Sequence, residues 1–188
     1  NNQITRRKLI NQISNYIYLQ QFEFNRTSEA FTVLFLSTKT NEGKSQIMHL
    51  IADSMRNAGH KILVFHPTES DLTKLTKKLD HQDNKFLDDA TNQGNITKKI
   101  LERNSNTNFS DYDYVFYELP AIIGSTTSIK LLKTANLSIL VARANRIWNT
   151  ADSMAVSSYK KCIDHPISAI LNGAMVDNLE SLIGEIPK

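Results

Sequence analysis

The chain has 188 residues, 40% of them apolar and 22% charged, an ordinary globular composition that excludes a disordered or fibrous polymer and sets the expectation of one domain over 1–188. Lys plus Arg number 22 against 19 Asp plus Glu, a net charge of +3 with short clusters such as Arg6-Arg7-Lys8 and Lys77-Lys78, so no nucleic-acid partner is expected. The single cysteine, Cys162, excludes an intramolecular disulfide and a cysteine-built metal site, and reads as a small buried hydrophobe in a reducing compartment.

In chain order, Ile10, Ile13 and Ile17 recur at helical spacing and predict an amphipathic helix over 4–20, within a segment 1–25 that precedes the core. Residues 31–36 (FTVLFL) form a continuous apolar run with β-branched and aromatic members, the pattern of a strand buried on both faces of a parallel sheet. After the loop STKTNEGKS, Ile47, Leu50, Ile51, Met55 and Ala58 share one helical face that stops at Gly59, a C-terminal cap. A second strand over 61–65 (KILVF) leads into a polar loop and an amphipathic segment through Leu72, Leu75 and Leu79. The region 81–111 is polar, with helical pieces around Phe86-Leu87 and 96–101. Strands are predicted at 112–119, 136–142 and 167–171, with helices at 125–134 and 147–163 between them. Strands alternating with helices imply an α/β fold, a parallel sheet flanked by helices on both faces.

No apolar stretch approaches the roughly 20 residues of a membrane helix, and Arg6-Arg7-Lys8 is followed by polar residues rather than a signal-type core. The expectation is a soluble, cytoplasmic chain, compatible with the soluble part of a longer inner-membrane protein.

The strongest chemical signal is Asn41-Glu42-Gly43-Lys44-Ser45 between a buried-type strand and an amphipathic helix. Backbone N–H groups and the helix N-terminus face an anion in such a loop, and a lysine adds a point charge to the β and γ phosphates, a role Lys44 fits. The Ser45 hydroxyl suits Mg²⁺, a hard cation that takes oxygen donors, and Gly43 allows close backbone approach. The pattern G-x-x-x-x-G-K-[ST] is incomplete, because Thr38 stands where its first glycine would be.

The whole chain resembles the cytoplasmic domain of bacterial tyrosine autokinases of exopolysaccharide and capsule export. Ser37 to Ser45 (STKTNEGKS) is similar to that family's S-x-x-P-G-E-G-K-S, Tyr112 to Ala121 (YDYVFYELPA) to its Y-D-Y-hydrophobic run ending D-T-P-P, and Ile170 to Ala174 (ILNGA) to its V-L-N-G-V, in the same order. The resemblance implies a phosphate-loop nucleoside-triphosphatase (NTPase) architecture, like that of partition ATPases and tyrosine autokinases, and binding of ATP or ADP with Mg²⁺ by Asn41, Glu42, Gly43, Lys44, Ser45, Gln46 and Asn172. It places Lys44 and Glu118 in the catalytic roles and Ser45 and Glu118 at the metal. Implied partners are further copies of the chain and a membrane component of polysaccharide export, or a transmembrane part of the same chain.

The departures fall on catalytic positions. Where the family's second strand ends in an aspartate-rich segment serving Mg²⁺, this sequence has His66-Pro67-Thr68, and an imidazole cannot supply an anionic oxygen to a hard cation. Glu69 and Asp71 follow a few residues on and would compensate only if the loop folds back. Glu118 replaces an aspartate, moving the carboxylate about one methylene outward in a reaction governed by positioning. Asn41 replaces a glycine and tolerates left-handed backbone angles better than most residues. No tyrosine follows Tyr159, so no autophosphorylation tail is expected. In the first helix Ile4 stands where an acidic partner of Arg7 would be, which makes Arg7 a solvated surface residue and weakens ring assembly by that route.

Lys39, five residues before Lys44, occupies the place of the dimer-spanning lysine of partition and division-site ATPases, but Thr40 and Asn41 replace the adjoining glycines and an exposed loop lysine is the simpler reading. Asn172 meets the adenine edge if the resemblance holds, or belongs to a plain Asn-Gly turn. The five histidines show no zinc-type spacing, and Trp148 is expected to cover an edge of the core. The expectation is a degenerate kinase-like domain with phosphotransfer impaired or lost, a nucleotide-binding or structural regulator of surface-polysaccharide assembly. Its alternatives are an active tyrosine autokinase and a partition-type ATPase.

Overall fold

The computed structural model describes residues 2–24, 30–66, 111–125 and 132–174. In these segments α1 (Asn2–Phe24), β1 (Phe31–Leu36), α2 (Lys44–Asn57), β2 (Ile62–Phe65), β3 (Tyr114–Glu118), β4 (Leu137–Arg143), α3 (Thr150–Lys160) and β5 (Ile167–Asn172) follow in chain order. The segment through Leu72, Leu75 and Leu79, Glu69 and Asp71, the pieces at 86–87 and 96–101, and most of the helix expected at 125–134 lie outside the described residues.

The five strands form one sheet in the order β2-β3-β1-β4-β5, and every pairing is parallel. β1 occupies the centre, which explains why all six of its residues are buried and why it reads as an unbroken apolar run. Side chains alternate across it. Phe31, Val33 and Phe35 enter a core layer with Ile10 and Ile17 of α1 and Ile47, Met48, Ile51 and Met55 of α2. Leu34 and Leu36 enter the opposite layer with Val115, Tyr117, Leu140 and Tyr159 of α3. Helices therefore flank the sheet on both faces, as the alternation of elements predicts.

The α1 helix runs to Phe24, beyond the expected 4–20, and its inward face carries a buried serine. Ser14 satisfies its hydroxyl by donating to the Ile10 carbonyl one turn back at 2.9 Å. Arg7 is exposed, as expected of a solvated residue. The α2 helix ends as its sequence predicts: Gly59, at φ 97°, follows Ala58, and the N–H groups of Gly59 and His60 reach the carbonyls of Arg56 and Met55 at 2.9 and 3.1 Å. This is the paired closure of a left-handed glycine stop. Two sequence expectations need correction. Trp148 does not cover the core: it is 41% exposed, because its indole N–H is drawn to the Ser153 hydroxyl at 2.9 Å while its ring lies under Arg146. Cys162 is only half-buried, packed against the core from the end of α3.

Candidate functional site

Parallel strands bring their C-terminal ends to one edge of the sheet, the edge where α/β folds place ligands. Pairing of Phe35 with Glu118 and of Arg143 with Asn172 fixes what meets there: the loop 37–43 after β1, Glu118 ending β3, the turn 144–149 after β4, and Asn172 ending β5. His66 follows the last residue of β2 on the same edge. The chain leaving β3 continues alongside the first loop, with Ile122 and Ile123 N–H donating to the carbonyls of Ser37 and Thr38 at 2.9 and 3.0 Å.

The loop is an open turn held from behind. Asn41 adopts φ 61° and Gly43 φ 88°, both left-handed, which an asparagine and a glycine accept at low cost. Gly43 is also the N-cap of α2 and has no side chain to cap it, which leaves the first-turn N–H groups oriented to meet an anion. A Cβ at Gly43 would lie 2.2 Å from Asn172 Nδ2. That amide donates to the Glu42 carbonyl at 3.0 Å, so Asn172 braces the backbone of the loop. Neither the adenine contact nor the plain turn expected for Asn172 includes this bond.

Lys44 is buried, and its Nζ donates to Ser37 Oγ at 3.0 Å and lies 4.0 Å from Glu118. Burial pulls its pKa below the ordinary lysine value, and the nearby charges of Glu118 and Glu42 oppose that shift. Ser45 donates its hydroxyl to Glu118 Oε1 at 2.8 Å. The other carboxylate oxygen, Oε2, accepts from His66 Nδ1 at 2.6 Å, and His66 Nε2 stands 3.0 Å from His49 Nε2 on α2. Glu118 is thus shared by a lysine, a serine and a histidine. Gln46 is exposed in the first turn of α2.

Glu42 plays a part its sequence position does not show. Its side chain is 1% exposed, turned back from the loop mouth into an ion pair with Arg146, and it accepts from the Arg143 N–H. Arg146 also donates to both oxygens of buried Asp152 at 2.8 and 2.9 Å and to Thr38 Oγ1 at 2.6 Å, while Thr38 donates to Asp152. Lys39 Nζ lies 3.8 Å from the same carboxylate, with its side chain 42% exposed. Thr38, in the place of a pattern glycine, is therefore a fixed point of the loop. The hydrogen bond from Arg146, helped by Thr38 and the Asn149 N–H, holds the Asp152 carboxyl well below the usual carboxylate range despite burial. Sequence reasoning missed Arg146 and Asp152. The only local signal was Asn149 three residues before Asp152, a capping box that both residues complete.

The donor set fits a nucleotide and its metal in part. An uncapped helix start, a left-handed glycine and a buried lysine fit a phosphate group. Ser45 and Glu118 offer two oxygen donors, enough for Mg²⁺ that keeps waters and phosphate oxygens as its other ligands. His66 withholds one carboxylate oxygen, and among the described residues no group of three or more His, Cys, Asp or Glu side chains is placed to hold an ion.

No family model matches this sequence, and no curated protein does. Solved structures do resemble it. The chimerical protein CapA2B2 aligns at a TM-score of 0.47 and 16% identity, over 76% of this chain and 73% of its own. The kinase domain of the Escherichia coli tyrosine kinase ETK aligns at a TM-score of 0.50 and 15% identity, over 83% of this chain and 73% of its own. With the all-parallel sheet, the helices on both faces and the loop after β1, that alignment establishes that this chain has the fold of a bacterial tyrosine-kinase domain.

Proposed function

We propose that this domain takes a nucleoside di- or triphosphate at the loop 38–46 and works as a kinase-like regulator whose phosphotransfer is impaired. The observation that carries the reading is the buried Lys44 ammonium set between Ser37 and Glu118 behind the uncapped N-terminus of α2. Glu118 offsets that buried charge only from 4.0 Å, and a phosphate at the helix start would add the close anionic partner a desolvated ammonium favours. In this reading the N–H groups of the loop and Lys44 hold the terminal phosphates, and Ser45 with Glu118 holds Mg²⁺, whose chemistry is to neutralise charge on the transferring phosphoryl group.

Impairment follows from the acidic side of the site. Phosphoryl transfer rests on positioned charge, and here β2 leads into His66, whose imidazole also engages Glu118. The domain then acts by differential affinity: nucleotide favours one oligomeric or docked state over another and so biases a partner. The assignment of that partner to membrane-bound polysaccharide export, and of the domain to the cytoplasm, rests on the motif resemblance and the shared fold.

Calorimetric titration with ADP and with ATP, each with and without Mg²⁺, tests the reading. The expected result is saturable binding that Lys44→Ala weakens by at least tenfold, with labelled ATP giving tyrosine phosphorylation no greater in the wild type than in Lys44→Ala. Absence of binding at millimolar nucleotide overturns the nucleotide part, and Lys44-dependent autophosphorylation overturns the impairment.

A further inference from the structure

The pairing of His49 with His66 beside Glu118 serves no step of the nucleotide reading. A carboxylate only accepts, so the 2.6 Å contact places a proton on His66 Nδ1 and, in the neutral ring, leaves a lone pair on Nε2. That nitrogen faces His49 Nε2 at 3.0 Å, with the ring centroids 5.0 Å apart and the planes inclined at 32°. Two nitrogens each ~2.05 Å from one ion stand ~2.9 Å apart at a right angle and ~3.3 Å apart at the tetrahedral angle. The observed 3.0 Å, itself a hydrogen-bond distance between the two nitrogens, also falls within the span of adjacent ligands on a single ion.

The Glu118 contact supplies the rest of the pattern. Imidazole ligands typically donate their second N–H to a carboxylate, which fixes the tautomer, orients the ring and raises the basicity of the ligating nitrogen. Both rings lie on the exposed side of the junction between α2 and the end of β2, open to solvent. We infer that His49 Nε2 and His66 Nε2 form a binding site for a late first-row divalent transition metal, with Glu118 as the orienting carboxylate and water in the remaining positions. Imidazole nitrogens select this class over Mg²⁺, and Cu²⁺ binds such nitrogen donors most tightly of the series. The ion would clamp the end of β2 to α2 one turn beyond Ser45. The site shares Glu118 with the Mg²⁺ set of the nucleotide reading, but neither histidine is assigned to phosphate or to Mg²⁺, so the metal titration reads separately from the nucleotide titrations.

Titration of the untagged protein with Cu²⁺ and with Ni²⁺ tests it, read by calorimetry and, for copper, by electron paramagnetic resonance. The expected result is one ion per chain at micromolar affinity, with nitrogen splitting from two imidazoles. His49→Ala and His66→Ala each lose at least tenfold in affinity, and Glu118→Ala loses ~10-fold or more with the two-nitrogen spectrum retained. Because both histidines are exposed, the histidine variants should keep the wild-type circular dichroism, and a fixed metal concentration should raise the unfolding midpoint of the wild type more than that of any variant. Equal binding by the His49→Ala/His66→Ala double variant, or no binding at millimolar metal, overturns the site whatever the nucleotide titrations give.

Discussion

Gly43 joins backbone conformation and side-chain packing in one position. Alanine there meets two penalties, a left-handed φ of 88° and a Cβ 2.2 Å from Asn172 Nδ2, whose displacement breaks the bond to the Glu42 carbonyl. Together they should cost about 2 kcal/mol, from ~1 for the backbone and ~1 for the hydrogen bond. Urea unfolding of Gly43→Ala in the wild-type and Asn172→Ala backgrounds checks this: the penalty should shrink by ~1 kcal/mol once the amide is gone. Asp152 predicts an acid effect whose sign follows from its depressed folded pKa. The stability it contributes is complete above the ordinary carboxylate value of ~3.9 and is lost as pH falls below it toward the folded value. Asp152→Asn should therefore be less stable than wild type at neutral pH, with the gap narrowing in acid denaturation series only as pH falls below about 4. His165 acts at milder pH. Burial pulls its pKa down, against the nearby Asp164, while its Nε2 bonds Ser138 Oγ at 2.6 Å. Charging it favours the unfolded chain, so wild type should lose more stability than His165→Gln as pH falls below ~6.5.

Among the elements, α3 depends most on one residue at its start. Asn149 accepts from the Asp152 N–H at 3.1 Å and Asp152 accepts from the Asn149 N–H at 3.0 Å, so the capping box and the loop anchor share a carboxylate. Asn149→Ala should cost ~1 kcal/mol in urea unfolding and, because it loosens Asp152, should also reduce nucleotide affinity. Asn149→Ser restores the cap and should restore both. At the other end of the fold α1 is tied across the sheet edge by Tyr16, whose hydroxyl lies 2.7 Å from Ser168 Oγ on β5, and to α2 by Ser54 donating to Asn11 Oδ1 at 3.1 Å. These polar ties complement the apolar contacts of Ile10 and Ile17 and set where α1 lies along the sheet.

At the scale of the molecule, two core layers share a single central strand, and that strand leads into the loop 37–43. A cavity in either layer should be felt at the site. Leu34 is fully buried on the α3 side, and Leu34→Ala should cost about 3 kcal/mol in urea unfolding. An unchanged calorimetric affinity in that variant would show that the loop is held by the Arg146 cluster rather than by the strand beneath it.

Features that depend on neighbouring residues alone are legible in the chain. FTVLFL reads as a central strand because burial on both faces leaves no polar position, Gly59 reads as a stop because only glycine takes φ 97° freely, and Gly43-Lys44-Ser45 reads as a phosphate loop because strand, turn and helix start adjoin in the chain. The bracing of that loop was decided in three dimensions. Thr38 meets Asp152 across 114 residues, Glu42 meets the Arg143 N–H across 101, and Asn172 meets the Glu42 carbonyl across 130. None of these pairs has a sequence period, and parallel pairing of β1 with β4 and of β4 with β5 is what carries them to one edge. The same holds for His49 and His66, whose 17-residue separation matches no metal motif until α2 and β2 fold the two imidazoles together. A side chain's chemistry is written in its residue type, whereas its partner is set by the register of a sheet that no single segment specifies.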